Sequence, residues 1–260
     1  MADGDGVRLE RDGTGIVAIV LDRPKKQNAV SSAMWRALAR YCDAIEADPS
    51  VRVVIVRGAP PAFSAGADIA EFPEVFADEE AARRYNDLVQ DALARLEGMS
   101  VPTIAQVAGS CIGGGCGLAL ACDLRMAAAD ARFGITPARL GLAYSLGDVK
   151  RLVDLVGPAR AKDILFSARL LDAEEALRIG LVDRVVSPEE LDGTVRAYAR
   201  SLLDLSGSSH RRIKRIVRLV LDGAVAETEE SRMLRDRAVS HPDFVEGRRA
   251  FLEKRRPRFT

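Results

Sequence analysis

The chain has 260 residues, and its 38 lysines and arginines are balanced by 38 aspartates and glutamates. That length holds one large domain, or a domain with an appendage, and is ample for a sizeable core. The balanced charge gives no global attraction to nucleic acid or an anionic membrane, and no uninterrupted apolar run reaches the ~20 residues of a spanning helix.

The N-terminus, Met1-Ala2-Asp3-Gly4-Asp5, lacks the basic start and apolar core of a signal peptide, so the cytoplasm is the expected compartment. Val7 to Glu10 alternates apolar and charged residues, Asp12 to Gly15 is a turn, and Ile16 to Leu21 is apolar throughout. This pattern predicts a β-hairpin. Asn28 to Ser32 leads into a helix whose buried face carries Met34, Leu38, Tyr41 or Cys42, and Ile45, with Trp35 joining the core. Val51 to Val56 is continuously apolar, as expected of a strand buried on both faces. After Ile69 come Glu71, Glu74, Asp78, Glu79 and Glu80, which read as a mobile acidic loop.

Tyr85, Leu88, Val89, Ala92, Leu93 and Leu96 mark the next helix, and Pro102 restarts the chain into a strand from Thr103 to Val107. Leu124 to Ala128 is a further strand. Val149, Leu152, Val153 and Val156 predict a short amphipathic helix, with Asp148 as its N-cap and Gly157-Pro158 as its end. Asp172 with Glu175, and Ser187 with Glu190, have capping-box spacing, and Leu181 to Val186 between them is a strand. From about Ser187 the chain reads as successive helices, broken near Gly207-Ser208-Ser209. The basic ending, Arg248-Arg249 and Lys254 to Arg258, reads as a solvated helix end. Strand-then-helix units followed by helices imply an α/β core with a helical appendage. The pattern does not distinguish a doubly wound sheet from a spiral.

Cys42, Cys111, Cys116 and Cys122 form no C-x-x-C pair and read as small buried hydrophobes. With only His210 and His241 beside them, no metal site is expected.

Two glycine-containing stretches point to chemistry. Gly113-Gly114-Gly115-Cys116-Gly117 lies between the strand ending at Val107 and the apolar run Leu118 to Cys122. Strand, glycine turn and buried helix place unpaired N–H groups at a helix N-terminus, where negative charge is favoured. A phosphate loop would need Lys-Ser or Lys-Thr after the glycines, and G-x-G-x-x-G fails because Leu118 stands at its third glycine. The remaining readings are a hole for an oxyanion that develops on a carbonyl, or a turn that only packs a helix on a sheet. Phe63-Ser64-Ala65-Gly66-Ala67-Asp68-Ile69 is the second stretch, after the turn from Gly58 to Pro61, and would supply a second backbone donor.

Together these pieces resemble the crotonase superfamily, also called the enoyl-CoA hydratase/isomerase family. The resemblance rests on Leu21-Asp22-Arg23-Pro24-Lys25 through Asn28-Ala29, Ser64 to Ile69, Gly113 to Cys116, Phe133-Gly134, Leu140-Gly141, Arg151-Leu152, Val156-Gly157, and Glu246-Gly247 through Phe251 to Arg255. It implies a crotonase-like α/β spiral of β-β-α units over residues 1–204, and a C-terminal helical oligomerisation region over 205–260. It implies trimers or pairs of trimers. It also implies an acyl-CoA substrate, with coenzyme A present as part of the thioester and no tightly bound cofactor. The oxyanion donors carry over to the backbones of Ala67 and Gly114. Coenzyme A contacts carry over to Lys25, Lys26, Gln27, Ala65, Asp68 and Ile69, and Phe251 and Lys254 match an ending that reaches a neighbouring subunit's coenzyme A phosphate.

The departures are as informative. The family's two hydratase glutamates fall on Gly117 and Pro137, and a third carboxylate position falls on Ser145. Ordinary two-glutamate hydration is therefore not expected. Thr136 to Tyr144 resembles the Thr-Pro-Ala-x-Leu-Gly-x-x-Tyr segment of methylmalonyl-CoA decarboxylases, which also lack both glutamates. Decarboxylation of a malonyl-type CoA is the favoured expectation, with Tyr144 orienting the carboxylate or delivering a proton and Thr136 in the same pocket. Ala67 stands where the decarboxylases carry histidine. Three alternatives stay open: Tyr144 as a core tyrosine whose hydroxyl meets a backbone group, Asp148 as an atypical acid in a hydratase or isomerase, and a non-catalytic acyl-CoA-binding subunit.

Overall fold

The computed structural model describes residues 6–259. Val7–Arg11 (β1) and Ile16–Leu21 (β2) form the expected antiparallel hairpin. Seven more strands follow: Val53–Gly58 (β3), Thr103–Val107 (β4), Ser110–Ile112 (β5), Leu124–Ala128 (β6), Arg132–Gly134 (β7), Leu170–Asp172 (β8) and Arg184–Val186 (β9). A larger sheet runs β1-β2-β3-β4-β6-β9 and a smaller one β5-β7-β8. From β2 onward the larger sheet is parallel.

The connections make a spiral. After β3 the chain enters the second layer at Ser64, after β4 at β5, and after β6 at β7. Ser64 bridges Cys111 of β5, and β5 pairs parallel with β7. A helix then carries the chain back to the larger sheet, so the core is a succession of β-β-α turns. The short second-layer segments are held by cross-turn bonds, such as Ser64 N–H to the Ser110 carbonyl at 2.8 Å and Gly113 N–H to the Gly134 carbonyl at 2.8 Å.

The helices are Ser32–Glu46 (α1), Phe72–Val75 (α2), Glu79–Glu97 (α3), Gly114–Leu120 (α4), Leu146–Ser167 (α5), Ala173–Arg178 (α6), Pro188–Leu203 (α7), Gly207–Leu221 (α8), Glu229–Asp236 (α9) and Pro242–Leu252 (α10). Helices α1, α3 and α4 cover one face of the larger sheet, where Val54 and Val56 of β3 join Trp35, Leu38, Leu93 and Leu118. Val53 and Ile55 point the other way, against Leu191, Val195 and Ala199 of α7. Both faces of β3 are thus buried, as its continuous apolar run predicts. Ser31, Asp78 and Asp172 cap α1, α3 and α6 by accepting N–H bonds from Met34, Ala81 and Glu175. Helix α5 breaks at Gly157 (φ 76°, ψ 162°), and Pro158 restarts it.

Two local expectations change. The cap of α5 is Ser145, whose hydroxyl accepts the Asp148 N–H, while Asp148 itself lies inside the first turn. Its apolar neighbours Val149, Leu152 and Val153 begin one turn later than the helix does. The acidic stretch after Ile69 is not a plain loop but a 3-10 turn, Ile69–Glu71, followed by α2. Glu71 anchors it by accepting from the Ser32 N–H and hydroxyl, both at 2.7 Å. Edge-on contacts of Phe76 with Phe72 and Tyr85 pin α2 to α3.

Helix α8 buries none of its residues and leaves Ile213, Val217 and Val220 exposed. It is tied to the core by ion pairs from Lys214 to Asp123 and from Arg218 to Glu97. Among the described residues no helix is long and apolar enough to cross a membrane.

Asn28 closes the first turn of the spiral. It is fully buried, and its amide donates to the carbonyls of Ala59 and Ala62 at 2.7 and 2.6 Å while its oxygen accepts the Arg23 N–H at 2.9 Å. Asn28→Ala orphans the buried Ala59 and Ala62 carbonyls and the part-buried Arg23 N–H, and each unsatisfied buried group costs about 1–3 kcal/mol. We expect a loss of roughly 3 kcal/mol, read as a lower urea midpoint at unchanged m-value. An unchanged midpoint would remove Asn28 from this role.

Candidate active site

The glycine stretch folds as a tight turn from β5 into α4. Gly113 adopts φ 52° and ψ −121°, which side chains avoid, and Gly114 is the first residue of the helix. An N–H at that position has no intrahelical acceptor. Facing it is Gly66 at φ 102°, where an added Cβ would lie 2.8 Å from the Ile112 carbonyl and 3.6 Å from the Gly114 nitrogen. Only glycine allows these two segments to approach so closely. The Val30 N–H donates to Gly66 and the Asp68 N–H donates to Val30, at 2.7 and 3.0 Å, which leaves the intervening Ala67 N–H unused. A Cβ on Gly114 would stand 3.7 Å from the Ala67 nitrogen. Among the described residues neither of these two N–H groups donates to a protein acceptor.

Both border a cavity of about 190 Å³. Its apolar walls include Trp35, Phe72, Phe76, Val89, Leu93 and Leu142, and its polar side chains are Tyr85, Asn86, Gln90, Thr136, Tyr144, Ser145 and Asp148. A larger cavity of about 440 Å³ opens between α8 and the core, but it touches neither free N–H.

The three positions that lack a carboxylate now have local explanations. Ser145 caps α5, and Pro137 starts the 3-10 turn Pro137–Leu140 on the cavity wall. At Gly117, an added Cβ would stand 3.1 Å from Asp148 Oδ1. A carboxylate from α5 therefore occupies the space that a longer side chain on α4 would enter. Asp148 is only 7% exposed. Gln90 and the Ser145 hydroxyl donate to its Oδ2 at 2.9 and 2.7 Å, and Arg151 lies 3.3 Å from its Oδ1. Arg151 also pairs with Glu97 at 2.9 Å, and Glu97 with Arg218 of α8. A line of alternating charges thus runs from the cavity to the C-terminal helices.

Tyr144 departs from its expected part. Its hydroxyl donates to the Gly113 carbonyl at 2.6 Å, which is the core-tyrosine alternative rather than a free group awaiting a substrate carboxylate. Burial pushes its phenol well above the ordinary tyrosine value, and nearby Cys116 and Asp148 push the same way, so the donor stays protonated. Thr136 lines the cavity and caps nothing. Arg139, in the same 3-10 turn as Pro137, donates to the Ala168 carbonyl at 2.6 Å.

The residues expected at coenzyme A are only partly gathered. Ala65, Ala67 and Ile69 line the cavity, with Ile69 67% exposed at its mouth. Lys25 and Lys26 line a separate surface depression with Asp22 and Arg23. The Gln27 carbonyl accepts the Ala65 N–H at 2.9 Å and so joins the two regions. Asp68 is held by Arg23 at 2.8 Å and Lys26 at 3.0 Å. Burial opposes its ionisation, but these hydrogen bonds outweigh it and keep the carboxyl below the usual range. Phe251 and Lys254 lie at the far end of α10 and line neither region within this chain. The sequence marks Trp35 as a core residue, and it gives neither Gln90 nor Arg151 a part in the site. Gln90 lies beside the apolar face of α3, and nothing local marks it as an Asp148 partner.

The enoyl-CoA hydratase/isomerase family model matches residues 11–260. The chain belongs to the enoyl-CoA hydratase/isomerase family. It is 37% identical over 256 residues to a probable enoyl-CoA hydratase of Mycobacterium leprae, covering 96% of each chain. It is 36% identical over 260 residues to the crotonyl-CoA hydratase of Syntrophomonas wolfei, covering 98% of each. The crystal structure of an enoyl-CoA hydratase/isomerase family protein from Hyphomonas neptunium superposes with a TM-score of 0.95 at 40% identity, covering 98% of this chain and 97% of that one. The spiral core followed by C-terminal helices is thus the crotonase-like fold. The segment from Thr136 to Tyr144 lies, in this member of the enoyl-CoA hydratase/isomerase family, on the wall of the cavity that holds the free donors.

Proposed function

We propose that this protein acts on an enoyl-CoA, stabilising a thioester enolate with the Ala67 and Gly114 N–H groups and moving protons with Asp148. The observation that carries this reading is the Asp148 carboxylate lying 3.1 Å from where a side chain on Gly117 would begin. One carboxylate suffices for double-bond migration: it removes a proton from C2 of a 3-enoyl thioester, the negative charge passes to the thioester oxygen, and the protonated carboxyl returns the proton at C4. It also suffices for hydration: the carboxylate takes a proton from water as the water oxygen joins C3, and then returns a proton to C2 of the enolate. The names of the relatives support this class over decarboxylation of a malonyl-type CoA. So does Tyr144, whose proton is engaged by Gly113. The exposed apolar side chains of α8 support assembly of several copies through the C-terminal helices.

The test is chromatography with mass spectrometry, in heavy water, on 2-enoyl-, 3-enoyl-, malonyl- and methylmalonyl-CoA. Addition of water, or double-bond migration with deuterium entering the product, is expected. Loss of carbon dioxide from a malonyl-type thioester, with the enoyl-CoAs untouched, would reverse the reading. Bound but unchanged thioesters would make the protein a binding subunit.

A further inference from the structure

The Tyr144 hydroxyl donates to the carbonyl of the peptide that carries one of the two free N–H groups. The Gly113 carbonyl that accepts it and the Gly114 N–H that faces the cavity belong to one peptide group. Among the described residues only Pro60-Pro61 is cis, so this peptide is trans and its C=O and N–H point in opposite directions. The Gly113 oxygen already accepts the helical N–H of Gly117 at 3.0 Å. The Tyr144 hydroxyl, at 2.6 Å, is a second donor on the same oxygen. An amide whose oxygen accepts hydrogen bonds carries more positive charge on its N–H, and each bond in such a chain strengthens the next by about 10–30%.

We infer that Tyr144 is a positioning residue for the reaction, fixing and polarising the Gly113–Gly114 peptide so that the Gly114 N–H is a stronger donor to the thioester oxygen. The inference rests on the proposed use of Gly114 as an oxyanion donor. Position and chemistry both favour it. Gly113 sits at φ 52° with no side chain to hold it, and nothing lies within 4 Å of where its Cβ would be. The turn is thus fixed through its backbone groups: the Gly113 N–H on Gly134, and the Gly113 oxygen under Tyr144 and Gly117. Tyr144 reaches this oxygen from the residue just before the Ser145 cap of α5, the same turn that presents Asp148. The donor and the proton-handling carboxylate are thereby set by one short segment.

The experiment is isotope-edited infrared spectroscopy of butyryl-CoA labelled with carbon-13 at the thioester carbonyl, bound to wild type and to Tyr144→Phe. Wild type should lower the carbonyl frequency relative to free butyryl-CoA, and Tyr144→Phe should give back part of that shift. On an enoyl-CoA, kcat should fall roughly two- to eight-fold, the stated share of one oxyanion donor's effect. KM and melting temperature should stay close to wild type. Replacing Tyr144 by 3-fluorotyrosine, a more acidic phenol of nearly the same shape, should move the frequency further down, opposite to Phe. A group that only packs would not produce this reversal, and the variant serves if Tyr144→Phe fails to fold. Identical frequencies in wild type and both variants would overturn the role of Tyr144. A wild-type frequency equal to that of free butyryl-CoA would instead overturn the donor reading itself.

Discussion

Asp148→Asn is expected to lower kcat on an enoyl-CoA by at least about 10²-fold, the usual worth of a positioned general acid or base. Asparagine is nearly isosteric, so the Ser145 cap and the Gln90 contact have somewhere to go, and Arg151 keeps Glu97 as a partner. The change therefore removes the proton-accepting group without emptying the site. Affinity for a saturated acyl-CoA should stay within a few-fold of wild type, because binding uses the donors and the apolar walls. The measurement is kcat and KM on the best enoyl-CoA, with circular dichroism and acyl-CoA titration as controls. Full activity in Asp148→Asn would eliminate Asp148 as the proton carrier, and the chemistry would then lie outside the carboxylates of this cavity. A loss confined to KM would make Asp148 a binding residue.

Gly114→Val is expected to reduce turnover by about 10²–10³-fold, the cost of losing one oxyanion donor. The position is tight. A Cβ there stands 3.4 Å from Trp35 Cζ2 and 3.7 Å from the Ala67 nitrogen, so the branched methyl groups of valine reach into the gap between the two N–H groups. Alanine meets the same atoms at ordinary contact distance and should cost less, so the two variants should form a graded series. The fold should survive, because the side chain projects toward the cavity rather than into the tight contact that Gly115 makes with Ser64, where a Cβ would come within 2.6 Å. The assay is single-turnover conversion of an enoyl-CoA, with the carbonyl frequency of bound labelled butyryl-CoA as the direct readout. A valine variant that turns over like wild type would show that the Gly114 N–H is not used.

The two variants separate the halves of the proposal. Asp148→Asn should leave the carbonyl frequency lowered while abolishing proton transfer. Gly114→Val should raise the frequency while leaving the carboxylate in place. Were both to raise it equally, the carboxylate and the donor would act only through shared packing.

How much of this was legible beforehand follows from the range of each interaction. The β1–β2 hairpin, helices α1 and α3, and the break at Gly157-Pro158 are set by residues close in sequence, and periodicity and turn chemistry reveal them. The small sheet was not legible. β5, β7 and β8 have three residues each, too few for any period, and they exist because cross-turn hydrogen bonds stack them. Helix α2 was hidden in the same way, since its anchor is the long-range bond of Glu71 to Ser32.

In the site, the glycines at 66, 113 and 114 could be read as a place where backbone approaches a ligand, because glycine needs no partner to announce that freedom. The absence of carboxylates at Gly117, Pro137 and Ser145 could also be read. What the sequence by itself determined is therefore the family and the order of its longer strands and helices, together with where glycine frees the backbone and where Gly117, Pro137 and Ser145 carry no carboxylate. Only the tertiary structure decided what stands in their place. It set Asp148 against Gly117, 31 positions away and on another helix, and it turned the Tyr144 hydroxyl onto the Gly113 carbonyl. Both are meetings of side chain with distant backbone, fixed by how α5 lies across α4, and no local pattern records a packing angle.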